Sequence, residues 1–409
     1  MDVKTAFLYG LLDEEVYMEQ PMGFEEGENM VCRLRRCIYG LRQSARVWYM
    51  TFAELMFERG FIQSLADPLV FTRFGSDGEY ETIIGVYVDD IIIAAKSMED
   101  LEILVKELTE RFEMTTIREI KDIIGMQVVR MNDGSIFLHQ QRYIEQMLRR
   151  YGMENSHPVA IPMNPGITSS DVPADQTLYQ RITGSLMWPS LGSRLDICYP
   201  AAWLGRWNSK PTTSHATAQK TCMRYLNGTT DYGVLFDSTI DDELDGYADA
   251  DWAGDTTDRK STSGMVFKLN GAAVSWSSLK QKVVAGSTVE AEIYAANDAL
   301  KHGLWLIQWF KSIGIDGIAP FTLYMDSQGA IHLSNNERIS RHTKHIDVKE
   351  MLIRDNVNRG TVVTKYVHTS GNLGDLFTKA LARPRFEELR AQLGMMSLAE
   401  ALEKHGGAA

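Results

Sequence analysis

Four carboxylates in the second half of the sequence, Asp249, Glu292, Asp326 and Asp375, fall where metal-dependent phosphoryl chemistry would need them. Hard divalent cations take carboxylate oxygens from several chain segments, and a pair of them can hold the attacking and leaving oxygens of a phosphodiester. Asp249 lies within an extended run between Ala248 and Ala250, where an acid is unfavourable unless something binds it. The others each have a plainer reading, as helix caps for Asp326 and Asp375 and as a helix-dipole partner for Glu292. A second acidic pair, Asp89-Asp90, separates two strand-like runs, Ile83–Val88 and Ile91–Ala95. Turn chemistry is the plain reading there. Asp-Asp is nevertheless a poorer tight-turn pair than Asn-Gly, and adjacent anions repel unless a cation is near. A turn role and a metal role both stand at this point.

The elements that must carry these residues follow from periodicity. Leu244–Trp252 has strand character, and Ser263–Leu269, Asn270-Gly271 and Ala272–Ser277 form a hairpin pattern with a type I′ turn pair. Ser287-Thr288-Val289-Glu290 is a capping-box pattern that opens a helix through Ile293, Ala296, Leu300, Leu304 and Ile307. A strand over Phe321–Met325 ends at Asp326, Thr361–Val367 is a last strand, and Asp375–Leu381 is expected to be a last helix. Three strands followed by alternating helix and strand make a mixed α/β sheet. Earlier in the chain, Met98–Phe112 and Gln140–Tyr151 carry apolar residues at helical spacing, which is core-facing patterning. Arg33, Arg35, Arg36, Arg42 and Arg46 fall in a stretch without acids. This is either a solvated face or, with Trp48 and Tyr49, a phosphate-facing track with stacking rings.

The 409 residues suggest two or three domains. A proline-rich connector spans Asn155–Thr177 and includes Ser169, and a second compositional shift runs from Asn227 to the acidic Asp241-Asp242-Glu243, so units 1–154, 155–240 and 241–409 are expected. Lys plus Arg is 42 and Asp plus Glu is 54, a net charge of −12, which taken alone disfavours nucleic acid. The acids are unevenly placed, however: eight of them and no Lys or Arg fall between Asp241 and Asp258. Four cysteines, Cys32, Cys37, Cys198 and Cys222, are too few for a disulfide framework. No signal core is visible, and no apolar run reaches the ~18–20 residues of a membrane span, so an intracellular protein, cytoplasmic or nuclear, is expected.

The ordered motifs resemble the reverse transcriptase and RNase H portion of copia-type LTR-retrotransposon polyproteins. They are Asp2-Val3-Lys4-Thr5-Ala6-Phe7-Leu8, Leu41-Arg42-Gln43 with Trp48-Tyr49, Tyr87-Val88-Asp89-Asp90, Gly184-Ser185-Leu186-Met187, Arg224-Tyr225-Leu226, Asp249–Asp255, Asp258–Gly264, Lys344-His345-Ile346-Asp347 and Asp375–Lys379. The resemblance implies an α/β and α+β multidomain chain. Its parts would be a polymerase palm and thumb over 1–154, a connection region over 155–240, an RNase H-like mixed sheet over 241–395 and a tail over 396–409. It also implies that Asp2, Asp89 and Asp90 are the polymerase metal ligands and that Phe7 selects deoxynucleotides. Arg33, Arg35, Arg36, Arg42, Gln43 and Arg46 would contact nucleic acid. Asp249, Glu292, Asp326 and Asp375 would be the nuclease metal ligands, with His368 assisting proton transfer or product release. The implied cofactor is Mg, two ions per site, with Mn as a substitute. The implied partners are an RNA template, a DNA primer, an RNA–DNA hybrid and deoxynucleotides.

Departures from the family pattern shape the expectation. The sequence begins one residue before Asp2, so a palm without its fingers is expected, with weak or absent polymerase turnover and RNase H turnover retained. Gln43-Ser44-Ala45-Arg46 replaces a proline-containing turn, and Glu350-Met351 replaces an aromatic-His pair. The competing reading is a catalytically dead remnant that at most binds RNA–DNA hybrid.

Overall fold

The computed structural model describes the whole chain except residues 28, 116–118, 168–169, 171, 241–242, 336–346 and 408–409. Asp241, Asp242, Ser169, Lys344, His345 and Ile346 of the sequence motifs thus lie outside the described residues. The chain divides into two compact units, Met1–Ile120 with Leu306–Asp316, and Lys121–Trp305 with Gly317–Ala409. No helix among the described residues is long and apolar enough to cross a membrane.

The first unit contains the expected hairpin, with Tyr80–Tyr87 paired antiparallel to Asp90–Ala95. The short strand Asp2–Val3 lies between Asp90–Ala95 and Met114–Thr115 in the same sheet. Alternation buries Ile84, Val86 and Ile91 on one face, where helices Ser44–Glu58 and Met98–Arg111 supply Trp48, Phe52, Leu104 and Leu108. Ser97 caps the second helix by accepting from the Asp100 amide at 3.1 Å. Leu11–Glu19 and Val31–Arg36 form a separate two-stranded ribbon that carries the first arginines. Cys37 is buried and Cys32 half-buried.

The second unit contains the mixed sheet. Its strand order is Ala272–Lys280, Thr262–Leu269, Asp245–Asp251, Phe321–Met325, Val362–Tyr366; the first three are antiparallel, and the last two join in parallel. Asn270 and Gly271 both adopt positive φ, 51° and 74°, as the type I′ turn requires. The helix Thr288–Ser312 follows the antiparallel strands, and its apolar stripe buries Ile293, Ala296 and Leu300. A second sheet is antiparallel throughout, in the order 395–397, 232–236, 136–139, 126–130, 122–123. Helices Gln141–Arg150, Gln176–Gly192, Cys198–Gly205 and Thr213–Asn227 pack into the large core around Leu148, Leu186, Leu204 and Leu226.

Two sequence expectations need correction. The two residues between the hairpin strands are Val88 and Asp89, because Asp90 already pairs with Tyr87. Val88 takes the positive φ of 57°, an unusual position for a β-branched residue, and its carbonyl accepts from the Trp48 indole at 2.6 Å. Asp375 does not open an α-helix. It sits in the 3₁₀ turn Leu373–Phe377, and the next α-helix is Arg383–Gln392.

Candidate active site

Asp249 occupies the central strand of the mixed sheet, opposite Gly264. The parallel neighbour pairs Tyr247 with Tyr324, and continuing that register brings Asp326 level with Asp249 just past the strand end. This is the carboxyl edge of the parallel strands, where open α/β sheets form crevices. Glu292 enters from the second turn of the long helix. Carboxylate oxygens of Asp249, Glu292 and Asp326 all lie within 4.8 Å of one another.

The plainer roles for these acids are filled by their neighbours. Ser327, not Asp326, caps the following helix, its hydroxyl accepting from the Ala330 amide at 3.2 Å. Ser287 accepts from the Glu290 amide at 3.2 Å, and the Glu290 carboxylate accepts from Gly286 at 2.7 Å, so Glu292 is not needed at that helix start. Asn372 caps the 3₁₀ turn by accepting from the Gly374 amide at 3.1 Å, leaving the Asp375 side chain out of the cap. Three cap residues therefore free three acids for another task.

The environment favours a cation. Asp249 is 4% exposed and Glu292 is 9% exposed. Burial, followed by the charges of Asp375 and Asp326, pushes the Asp249 carboxyl up to about 7. Burial, with Asp249 and Asp326 beside it, also raises Glu292 well above the usual carboxylate range. One buried Glu292 oxygen, Oε2, has no hydrogen-bond partner. An all-carboxylate donor set with an orphaned oxygen suits a hard divalent ion.

Asp375 is placed differently. Its Oδ1 lies 2.5 Å from Lys379 Nζ and its Oδ2 lies 3.7 Å from Arg385 Nε, and it is outside the group of three. Arg385 also donates to the Thr369 carbonyl at 2.9 Å, and to the Ser370 carbonyl, so one side chain ties Asp375 to the segment that follows His368. His368 itself is exposed, and its Nδ1 accepts from the Ser370 amide at 3.2 Å.

Four further residues shape the site without having been picked out as site residues from the sequence. Thr378 donates its hydroxyl to Asp249 Oδ2 at 2.8 Å, and Asn372 donates to Asp249 Oδ1 at 3.3 Å and to the Ala248 carbonyl at 3.0 Å. Gly264 and Gly374 permit the turn to lie directly on the strand. A Cβ on Gly264 would meet the Gly374 carbonyl at 2.6 Å, and one on Gly374 would meet the Asp249 Cβ at 2.9 Å. The sequence signal for Asn372, Gly374 and Thr378 is their closeness to Asp375; only the fold reveals Gly264.

The second constellation is looser. Asp2 and Asp90 are directly opposed. The flanking bonds, Val3 N to Asp89 O and Ile91 N to Met1 O, are both 2.9 Å and mark a pair whose side chains approach closely. Asp89 sits in the adjacent turn, and among the described residues Asp2, Asp89 and Asp90 do not form a three-acid group as tight as that around Asp249. Tyr39 is a further neighbour that the sequence does not reveal: burial and the charges of Asp89 and Asp2 raise its hydroxyl pKa, and its ring lies 4.6 Å from that of Phe7. Arg35, Arg42 and Arg46 are exposed, and Gln43 is half-buried just before the helix. Arg33 is paired with Glu15 at 2.9 Å, and Arg36 donates to the Leu8 carbonyl at 3.0 Å, so a stretch without acids in sequence is not acid-free in space. Trp48 corrects a further expectation. It is 2% exposed, packed among Tyr9, Phe52 and Phe112, and cannot offer a face to a base.

A family profile for reverse transcriptase (RNA-dependent DNA polymerase) matches residues 1–165. The chain is 37% identical over 410 residues to the retrovirus-related Pol polyprotein from transposon TNT 1-94 of Nicotiana tabacum, covering 97% of this chain and 31% of the relative. It is 34% identical to the Pol polyprotein from transposon RE1 of Arabidopsis thaliana, covering 97% and 27% respectively. A transposon Ty5-1 protein of Saccharomyces cerevisiae is 31% identical over 73% of this chain and 99% of its own length. The chain thus spans less than a third of the length of the two plant polyproteins. Among solved structures, a foamy viral protease-reverse transcriptase in complex with RNA/DNA hybrid aligns with a TM-score of 0.46 at 13% identity, over 90% of this chain and 43% of that one. On the sequence relationships, the chain belongs to the reverse transcriptase family of copia-type retrotransposon Pol proteins.

Proposed function

We propose that this chain hydrolyses the RNA strand of an RNA–DNA hybrid at the site around Asp249. The observation that carries the reading is the convergence of Asp249, Glu292 and Asp326, from a strand, a helix and a strand end, to within 4.8 Å in a half-enclosed edge of the sheet. These three carboxylates would hold magnesium, or manganese in its place. When bound, such an ion lowers the pKa of an attacking water and neutralises charge on the leaving oxygen.

The chain's own residues do the rest. Thr378 and Asn372 fix the Asp249 carboxylate. Asp375, positioned by Lys379 and Arg385, is proposed as the fourth acid of the site. His368 accepts the Ser370 amide at Nδ1, so the neutral ring carries its proton on Nε2, from which it is proposed to donate a hydrogen bond to the oxygens of the departing strand end. In the first unit, Asp2, Asp89 and Asp90 are proposed to serve a primer 3′-OH, Phe7 to screen deoxynucleotides, and the exposed Arg35, Arg42 and Arg46 to contact phosphates.

The test is incubation of the chain with Mg²⁺ and a hybrid labelled on either strand, beside Asp249→Asn and Asp326→Asn. Cleavage of the RNA strand by the parent, reduced at least ~100-fold in both variants, is expected. Retardation of the hybrid on a gel without cleavage would replace the nuclease reading with a binding module.

A further inference from the structure

A cavity of about 320 Å³ opens beside the acids, near the lower end of the ~300–1,000 Å³ range of small-molecule sites. Tyr199, Trp203 and Trp207 line it, as do Asp251, Thr257 and Lys379. Lys379 joins it to the site described above, because the same ammonium lies 2.5 Å from Asp375.

The aromatic wall is built in advance. His215 is buried and locked by its Nδ1, which accepts from the Thr212 amide at 3.1 Å at the start of helix Thr213–Asn227. The Trp207 ring stacks on His215 at 4.2 Å with 20° between planes, and Trp203 lies 5.9 Å from Trp207. A rigid aromatic wall lowers the ordering cost of binding a flat ring.

The charges narrow the ligand class. Asp255 also lines the cavity, but Lys280 at 2.5 Å and Arg206 at 3.8 Å already neutralise it. Asp251 faces the charges of Lys379 and Arg206, so the wall carries no uncompensated anion to draw an organic cation, and with Lys379 as the one lining cation among the described residues it is no phosphate cradle. Asp251 accepts hydrogen bonds, the Thr257 hydroxyl, whose proton goes to Asp255, accepts as well, and the Asn164 side chain both gives and accepts them. Flat faces with mixed donors and acceptors at the edge fit a nucleobase, and every base has a π-face to stack.

We propose that this cavity receives one unpaired nucleobase, from the strand held at the adjacent acids or from a free nucleoside monophosphate. The proposal rests on the nucleic-acid reading above, and its test separates the two. The full chain is titrated, with Ca²⁺ replacing Mg²⁺ to prevent cutting, against three fluorescein-labelled RNA–DNA hybrids. One is blunt, one has a four-nucleotide unpaired RNA extension, and one has the same extension made abasic. The parent is expected to bind the base-bearing extension about tenfold more tightly than the abasic one, the scale of one stacking contact. Trp207→Ala removes that difference while still binding the blunt hybrid, and Trp207→Phe keeps it. Guanosine monophosphate alone, read by quenching of tryptophan emission, distinguishes the free source from the strand source.

Equal affinity of the parent for base-bearing and abasic extensions, with no quenching by the nucleotide, overturns the proposal whatever Trp207→Ala does. Failure to bind any hybrid would count against the nucleic-acid reading. Quenching in that case would support the cavity as a free-nucleotide site, and its absence would overturn the cavity as well.

Discussion

Asp249 is the residue at which fold and chemistry compete. A buried carboxylate beside Asp375 and Asp326 destabilises the chain, since burial and the neighbouring like charges both oppose its ionisation. Its folded pKa of about 7 lies above the unfolded value of 3.8. The protonated form therefore suits the fold better, and stability contributed below about pH 4 is lost as pH rises towards 7. In EDTA, Asp249→Asn is expected to raise the stability at pH 8 by about 2 kcal/mol, a few degrees in melting temperature, and to reduce the loss between pH 5 and pH 8. Melts by circular dichroism at both pH values check this. A lower midpoint for the variant at pH 8 would make Asp249 a structural acid held by Thr378 and Asn372.

The site depends on elements that approach more closely than ordinary side chains allow. The 3₁₀ turn bearing Asp375 lies against the central strands only because Gly264 and Gly374 have no Cβ. Gly264→Ala must push the turn away, and a loss of about 1–3 kcal/mol is expected in urea unfolding, with hybrid cleavage falling more steeply than binding. Strand and helix positions were legible in the sequence because their patterns are local: the Asn270-Gly271 turn, the Ser287–Glu290 cap and the apolar stripe after Glu292 each contain their own signal. The acids Asp249, Glu292 and Asp326 were legible as a set placed in a strand, near a helix start and at a strand end. What was not legible depended on distant partners. The 3₁₀ turn bearing Asp375 is docked by the Thr378 hydroxyl on Asp249 and by Arg385 on Asp375, Trp48 is claimed by a core that draws on Phe112, and Arg33 meets Glu15 across a ribbon.

On the scale of the whole molecule, a net charge of −12 is a poor guide to partner choice. The acids concentrate near the start of the mixed sheet, and Arg33–Arg46 lies in the other compact unit. Arg35, Arg42 and Arg46 are exposed, whereas Arg33 and Arg36 already have partners within the chain. Replacing those three exposed arginines with alanine is expected to lower the slope of log K against log salt for hybrid binding by about 2–3, at roughly 0.9 for each phosphate left without its arginine. An unchanged slope would assign the three arginines to a solvated face.

Hybrid cleavage requires that Asp249, Glu292 and Asp326 form one cation site. Calorimetric titration of the intact chain with Mn²⁺ tests this directly. The parent is expected to bind the ion and to melt at higher temperature with it, and both Glu292→Gln and Asp326→Asn are expected to weaken binding at least ~tenfold. Binding equally tight in the parent and in both variants, or no binding by the parent, would contradict a shared site.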